Sequence, residues 1–255
     1  MARHLWAWVN GAELTSAVPG AIIRQINFDP AESDLSTADR PGRYGQRLLG
    51  VHRKSLHVGV EFVVRELFDL SARARAAEAA AAWAQNGILR VSNMPDRFLR
   101  MVCTGRPTVL AARDYTQVMR ADFTALAVPY WQDLTPVSVS LSGLSGSGAL
   151  RPLGTVDALH VTATVTPASG TLTTLTLTVG NTSMSFTGLS VTNAAPLIIA
   201  YDDQDLLTIT SGGTGQLSHR TGSDDLLAIP ARDNAVSFTA NVSCSVIFQA
   251  RGLYQ

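Results

Sequence analysis

From residue 136 onward the chain is a succession of short runs rich in Val, Leu, Ile, Thr and Ser, with turn residues between them. The runs are "TPVSVSLSG", "ALHVTATVTP", "LTTLTLTVG", "TSMSFTG", "PLIIAYD", "LLTIT", "LLAIP", "AVSFTA" and "CSVIFQARG". β-Branched side chains on short, regularly punctuated runs exclude a helical bundle and point to a sandwich or jelly roll. Gly180-Asn181 lies between two alternating runs and marks a hairpin. The same period of two appears at its clearest earlier, in "SLHVGVEFVVREL". There Leu56, Val58, Val60, Phe62 and Val64 share one face, and His57, Gly59, Glu61 and Arg65 share the other, interrupted by Val63.

The first half mixes elements. "LWAWV" (5–9) and "IIRQINF" (22–28) read as strands around a turn at Pro19-Gly20. Residues 29–46 are polar and turn-rich and read as a long loop. "SARARAAEAAAAWAQNG" reads as a helix, capped by Asp69 or Ser71 and stopped at Asn86-Gly87, with Trp83 as its large buried contact. "ILRVS", "RFLRMVCTG" and the stretch from Ala111 to Ala127 follow as strands; Pro129 ends the last, and Tyr130-Trp131 cap an edge or corner. Composition shifts near residue 135. Sixteen of the twenty cationic side chains, all four tryptophans and the one convincing helix precede it. The expected class is therefore mainly β. Residues 1–135 are expected to form an α+β barrel-like domain with one main helix, and residues 136–255 a β-sandwich or jelly roll.

The chain has 255 residues, no net charge, and 16% charged residues, against about 25% in ordinary domains. A nucleic-acid binder needs a basic face, so the low and unbiased charge argues against that class, while a low charge content suits a surface hidden in an assembly. The two halves carry +3 and −3, a weak bias towards head-to-tail docking of copies. Nineteen arginines stand against one lysine, Lys54. Interfacial ion pairs favour arginine, and a genome rich in G and C gives the same excess; both readings stay open. Cys103 and Cys244 have no metal or redox spacing and read as small buried side chains. No signal-peptide h-region and no run of about 18 apolar residues occurs, so synthesis in the host cytoplasm without membrane insertion is expected.

Motifs for chemistry are sparse. His4, His52, His57, His160 and His219 are scattered; His57 and Glu61 share a strand face but read as solvated or satisfied side chains. Asp202, Asp203 and Asp205 read as a polar hairpin turn, with a single Ca2+ as the alternative, because the EF-hand spacing is absent. "LSGLSGSG" (141–148) lacks the lysine and helix of a phosphate loop and reads as a flexible linker; "SGGTG" (211–215) reads as a loop. No nucleophile elbow or acid pair is selected, and neither an enzyme nor a cofactor is expected. Of Phe186, Tyr201, Phe238, Phe248 and Tyr254, four fall at inward-facing strand positions and read as core aromatics, with sugar stacking as the alternative.

One segment resists a core reading. "PGRYGQR" (41–47) puts arginines, a tyrosine and glycines directly before the alternating strand. The run "RYGQRLLGVHRKSLHVGVEFVVRE", then the helix ending "AAWAQNGILRVSNMPDRFLRMVCTG", then "FTALAVPYW", resembles the N-terminal domain of siphophage distal tail proteins. "PLIIAYDDQDLLTI" and "GSDDLLAIPARDNAVSFTA" are similar to that family's second domain, although Ala-Arg-Asp stands where Pro-Gly is more usual. The resemblance spans nearly the whole chain. It implies a structural ring, usually a hexamer, at the phage tail tip, with the first domains forming a belt and galectin-like sandwiches projecting outward. Expected partners are further copies of the chain, the tail tube protein, the tip hub or tail-associated protein, and the tape measure protein. Arg40, Arg43, Tyr44 and Arg47 are then expected to pack against the next protomer or line the lumen. The alternative is a binding module whose sandwich recognises a host glycan or surface protein.

Overall fold

The computed structural model describes residues 5–29, 33–39, 46–53, 55–65, 68–125, 127–202, 204–222 and 224–254, with backbone alone for 33–39 and 46–53. The chain is mainly β and divides into two compact units, Met1–Trp131 and Gln132–Tyr254.

The first unit contains β1 (Ala7–Val9), β2 (Ala12–Glu13), α1 (Leu14–Ala17), β3 (Ala21–Asp29), β4 (Ser33–Asp39), β5 (Gln46–Arg53), β6 (Leu56–Val64), α2 (Leu70–Trp83), β7 (Gly87–Val91), β8 (Met94–Cys103), β9 (Thr108–Arg113) and β10 (Thr116–Ala125). Its antiparallel sheet runs β2-β1-β7-β8-β10-β6-β3, and β9 also pairs with β10. The apolar face read from the sequence of β6 is the buried one: Val60, Phe62 and Val64 are wholly shielded. Met119, Ala121, Phe123 and Ala125 extend it along β10. In α2, Ala76, Ala80 and Trp83 are buried. The Trp83 ring meets Phe62 and Phe123 edge-on at 6.4 and 5.9 Å, and its Nε1–H donates to the Ala12 carbonyl at 3.0 Å.

Asp69 caps α2, accepting the Ala72 N–H at 2.6 Å. The helix ends earlier than Asn86-Gly87, at Ala84, whose φ of −78° is not left-handed. Asn86 serves a different purpose: its Oδ1 accepts the Cys103 N–H and its carbonyl accepts the Asn10 side chain. The strand expected from Ala111 to Ala127 is two strands, because Asp114 adopts φ 41° and turns the chain between β9 and β10.

The described residues of the expected loop at 29–46 are strand. β4 and β5 form a separate two-stranded ribbon, pairing Ser33 with Arg53, Leu35 with Val51 and Asp39 with Gln46. Ser, Asp and Ala, which make up most of β4, are poor strand formers alone, so β4 carries little local signature and is specified by its partner across the ribbon.

The second unit contains β11 (Trp131–Asp133, which begins on the last residue of the first unit), β12 (Val137–Leu150), β13 (Leu159–Pro167), β14 (Leu172–Val179), β15 (Thr182–Val191), β16 (Leu197–Tyr201), β17 (Leu207–Ser211), β18 (Thr214–Gly215), β19 (Arg220–Thr221), β20 (Leu227–Ala228), β21 (Asn234–Ala250) and β22 (Leu253–Tyr254). The path is β18-β17-β16-β13-β21-β14-β15-β19, with β12 on β21 and β20 on β13. β21 is the spine: Cys244–Ala250 pairs with β13, and Val236–Ala240 pairs with β14. β12 follows it along both halves. Phe186, Phe238 and Phe248 are buried in the core with Val161, Leu177 and Val246.

"LSGLSGSG" is not a linker; it lies inside β12. A Cβ at Gly146 would stand 2.9 Å from the Phe238 ring, and one at Gly148 would stand 3.1 Å from Val139. These glycines admit close packing where the strand curls, rather than supplying flexibility. Gly180, at φ 55°, forms the two-residue turn between β14 and β15 that its sequence marks. Buried Asn234 ties three segments, accepting the Ile229 N–H and donating to the Leu150, Ile229 and Arg232 carbonyls. Cys244 is buried, which pushes its thiol up; Cys103, expected to be buried, is partly exposed, its Sγ 2.9 Å from the Gly105 carbonyl oxygen.

Candidate functional site and assembly surfaces

The outer face of the first unit's sheet is a polar grid. Register sets three rows across β3, β6 and β10: Gln25, Glu61 and Arg120; Asn27, Gly59 and Asp122; Asp29, His57 and Thr124. Arg120 Nε donates to Asp122 Oδ1 at 2.6 Å, and its Nη1 lies 3.8 Å from Glu61 Oε1. The bond to Asp122 holds the guanidinium above its ordinary pKa. Asn27 donates to Glu61, and Gln25 to Asn27. His57 Nδ1 sits 2.8 Å from Thr124 Oγ1. His57 and Glu61 thus share a face but bond to different neighbours, as their reading as satisfied side chains expects. Gly59 matters sterically, since a Cβ there would stand 2.8 Å from the Arg120 guanidinium.

Two bulges lie beyond this grid. On β3 the register slips between Ile23 and Gln25, leaving Arg24 without a counterpart on β6. On β10 against β9 it slips at Val118–Met119, leaving Leu110 without one. Arg24, Ala111, Arg113, Thr116 and Val118 line a hollow of about 280 Å³. Neither Arg24 nor Arg113 has a carboxylate partner among the described residues. Phe68, Leu70 and Tyr115 are exposed, and the Phe68 and Tyr115 rings stand 5.2 Å apart.

Of the loop residues singled out from sequence, Arg40, Arg43 and Tyr44 lie outside the described residues. Arg47 is on β5, paired with Ala38. The ribbon that bears it pairs with no other described strand. Arg24 and Arg113 escaped notice in the sequence, because a bulge shifts the inward–outward phase without any residue marking it.

In the second unit, charge gathers at one corner. The β16–β17 turn is built by Asp202, whose carboxylate accepts the N–H groups of Gln204 and Leu206. Asp203 lies outside the described residues. Asp205 Oδ2 is 3.6 Å from His160 Nε2, and burial raises the Asp205 carboxyl against the opposing pull of His160. The His160 ring packs on Tyr201 at 4.1 Å. Arg220 donates to Asp225 and to the Asp224 carbonyl at 3.1 and 2.6 Å. Burial, with Asp225 and Asp205 nearby, pushes the Tyr201 phenol up. Leu206 is 62% exposed beside these acids. For Asp202 and Asp205 the turn reading matches the structure; Tyr201 differs from the three core phenylalanines in facing polar neighbours.

No protein-family model matches the sequence, and no curated protein sequence matches it significantly. Solved structures do match. The SPP1 Dit (gp 19.1) protein, described as a paradigm of the hub adsorption apparatus in phages infecting Gram-positive hosts, superposes with a TM-score of 0.73 at 11% identity, over 97% of this chain and 98% of that one. A chain of the phage P2 baseplate in its activated conformation with Ca matches at 0.50 and 6% identity, over 99% and 98%. A chain of the phage p2 baseplate with Sr matches at 0.52 and 6% identity, over 97% of both chains. Over nearly its whole length, therefore, this chain shares the fold of the SPP1 Dit hub protein and of a phage P2 baseplate chain.

Proposed function

We propose that the chain is a structural component of a phage tail tip, assembling as a ring, hexameric in this reading, that joins the tail tube to the baseplate or tip hub. The observation that carries this is the likeness to the SPP1 hub protein through both units at once. The ribbon of β4 and β5 supports the ring. A two-stranded ribbon alone is marginally stable in water, so one that pairs with no other described strand gains stability from a neighbour. The exposed Phe68, Leu70 and Tyr115 supply apolar area of the kind interfaces bury. In this reading Arg40, Arg43, Tyr44 and Arg47 pack against the next protomer or line the lumen, and the tail tube, hub and tape measure proteins are the other partners. The protein then acts in the virion and performs no catalysis. A host-binding sandwich is the weaker reading, because Phe186, Phe238 and Phe248 are committed to the core and are not displayed for sugar stacking.

The test is the mass of the purified full chain by light scattering behind size exclusion, over a range of concentrations. A closed oligomer near six chains supports the ring, and Arg43→Glu with Arg47→Glu is expected to dissociate it while leaving the fold intact. A wild-type oligomer unaffected by this pair removes the loop from the interface; a monomer at every concentration counts against self-assembly.

A further inference from the structure

The outer face of the first unit contains two kinds of arginine. Arg120 is satisfied by Asp122 and Glu61 in its own sheet. Arg24 and Arg113, flanking the 280 Å³ hollow, have no such partner among the described residues. No carboxylate among the described residues lines the hollow, and Val118 and Ala111 give it an apolar floor. Bulges are features that re-aim side chains. Here one releases Arg24 from the register of β3, and the other interrupts β9 beside Ala111. A pair of guanidinium forks over an apolar floor suits a carboxylate with an aliphatic side chain next to it.

The same chain carries that chemistry. Around Tyr201 lie Asp205 and Asp225, with Asp202 in the adjoining turn and Asp224 next to Asp225, and among the described residues Arg220 and His160 are the cations paired with them. Leu206, exposed and adjacent to Asp205, supplies the aliphatic side chain. We infer that the Arg24–Arg113 hollow receives the acidic β16–β17 corner of a second copy, with Asp205, Asp224 and Leu206 in contact. This deepens the assembly reading above and rests on it. The contact joins different surfaces on the two copies, so it repeats head to tail and closes into a ring when the rotation permits. The opposite charges of the two halves of the sequence act in the same direction.

Sedimentation velocity on the full chain, over a wide concentration range at low and at high salt, tests this. Wild type associates with concentration and does so less at high salt. Arg24→Glu with Arg113→Glu raises the dissociation constant by about tenfold or more. Adding Asp205→Lys and Asp224→Lys to that chain restores association by exchanging the charges across the contact. Association by the Arg24→Glu/Arg113→Glu chain at wild-type strength overturns the inference, as does failure of the fourfold exchange to regain it while circular dichroism shows a native fold. If Arg43→Glu with Arg47→Glu dissociates the oligomer and the Arg24/Arg113 pair does not, the ring reading stands and this contact falls. A wild type that stays monomeric throughout overturns both.

Discussion

The two faces of β6 are one residue apart in sequence and opposite in chemistry. Val58, Val60, Phe62 and Val64 are fully buried towards the core. His57, Gly59 and Glu61 belong to the polar grid with Arg120, Asp122 and Thr124. The inner face holds the fold together through apolar area removed from water, at about 25 cal/mol per Å². The outer face consists of part-exposed ion pairs and hydrogen bonds, each worth about 1 kcal/mol or less. A surface that contributes so little to stability is free to be shaped for recognition. The bulges at Arg24 and Leu110 fit that division, because both lie on the outer side strands, away from the β6–β10 pairing, which runs without a slip.

The sharpest break in this comparison comes from neighbouring positions on one strand. Phe62→Ala removes a wholly buried ring that packs edge-on with Trp83 and is expected to cost about 3–5 kcal/mol. Val63→Ala, on the outer side, is expected to cost about 1 kcal/mol or less. Urea denaturation of both variants measures the contrast; equal losses would mean that the outer face is as structural as the inner.

A smaller effect sharpens the comparison within the outer face. Gly59→Ala puts a methyl group against the Arg120 guanidinium, which is the mobile end of a long side chain and can swing away. The loss is then limited to the bonds of Arg120 to Asp122 and Glu61, about 1 kcal/mol. With Arg120→Ala already present the clash is gone, and alanine stabilises relative to glycine by reducing the freedom of the unfolded chain. The expected result is a change of sign between the two backgrounds in a double-mutant cycle. The same sign in both would show that the backbone at Gly59, and not Arg120, sets the cost.

How much of this was legible follows the same division. β6 was readable because its alternation is complete and one face is buried. α2 was readable because alanine density, Trp83 and Asp69 all agree on a packed, capped helix. The glycine-rich part of β12, residues 141–148, was misread because Gly and Ser carry turn signals, whereas here Gly146 answers a contact with Phe238, which is nearby only in space, and Gly148 one with Val139 earlier in the same strand. β4 was misread because most of its residues, Ser, Asp and Ala, have low strand propensity and its pairing with β5 is what specifies it. The arginine pair at the hollow left no trace at all, since Arg24 and Arg113 are 89 residues apart and only the register of the sheet brings them to one cavity. The arginine–tyrosine loop stood out in composition, yet of its chosen residues only Arg47 falls on a described strand.

The smallest expected effect is at the start of α2, where sequence and structure agree. The Asp69 carboxylate accepts the Ala72 N–H and the Ser71 hydroxyl, and the Ala72 bond is the main reason its pKa lies below the ordinary aspartate value. A carboxyl whose folded pKa is depressed contributes its stability above the unfolded value and loses it as pH falls through the folded one. The cap is therefore intact at neutral pH, and its contribution fades only in the acid range below the usual carboxylate pKa. Asparagine caps nearly as well as aspartate and does not titrate in this range. Asp69→Asn is expected to leave the melting temperature at pH 7 almost unchanged and to flatten the part of its acid dependence that comes from this helix. Melting curves of the two chains at stepped pH measure the difference. Parallel curves down to the lowest pH at which the wild type still folds would show that the cap bond does not depend on the charge of Asp69.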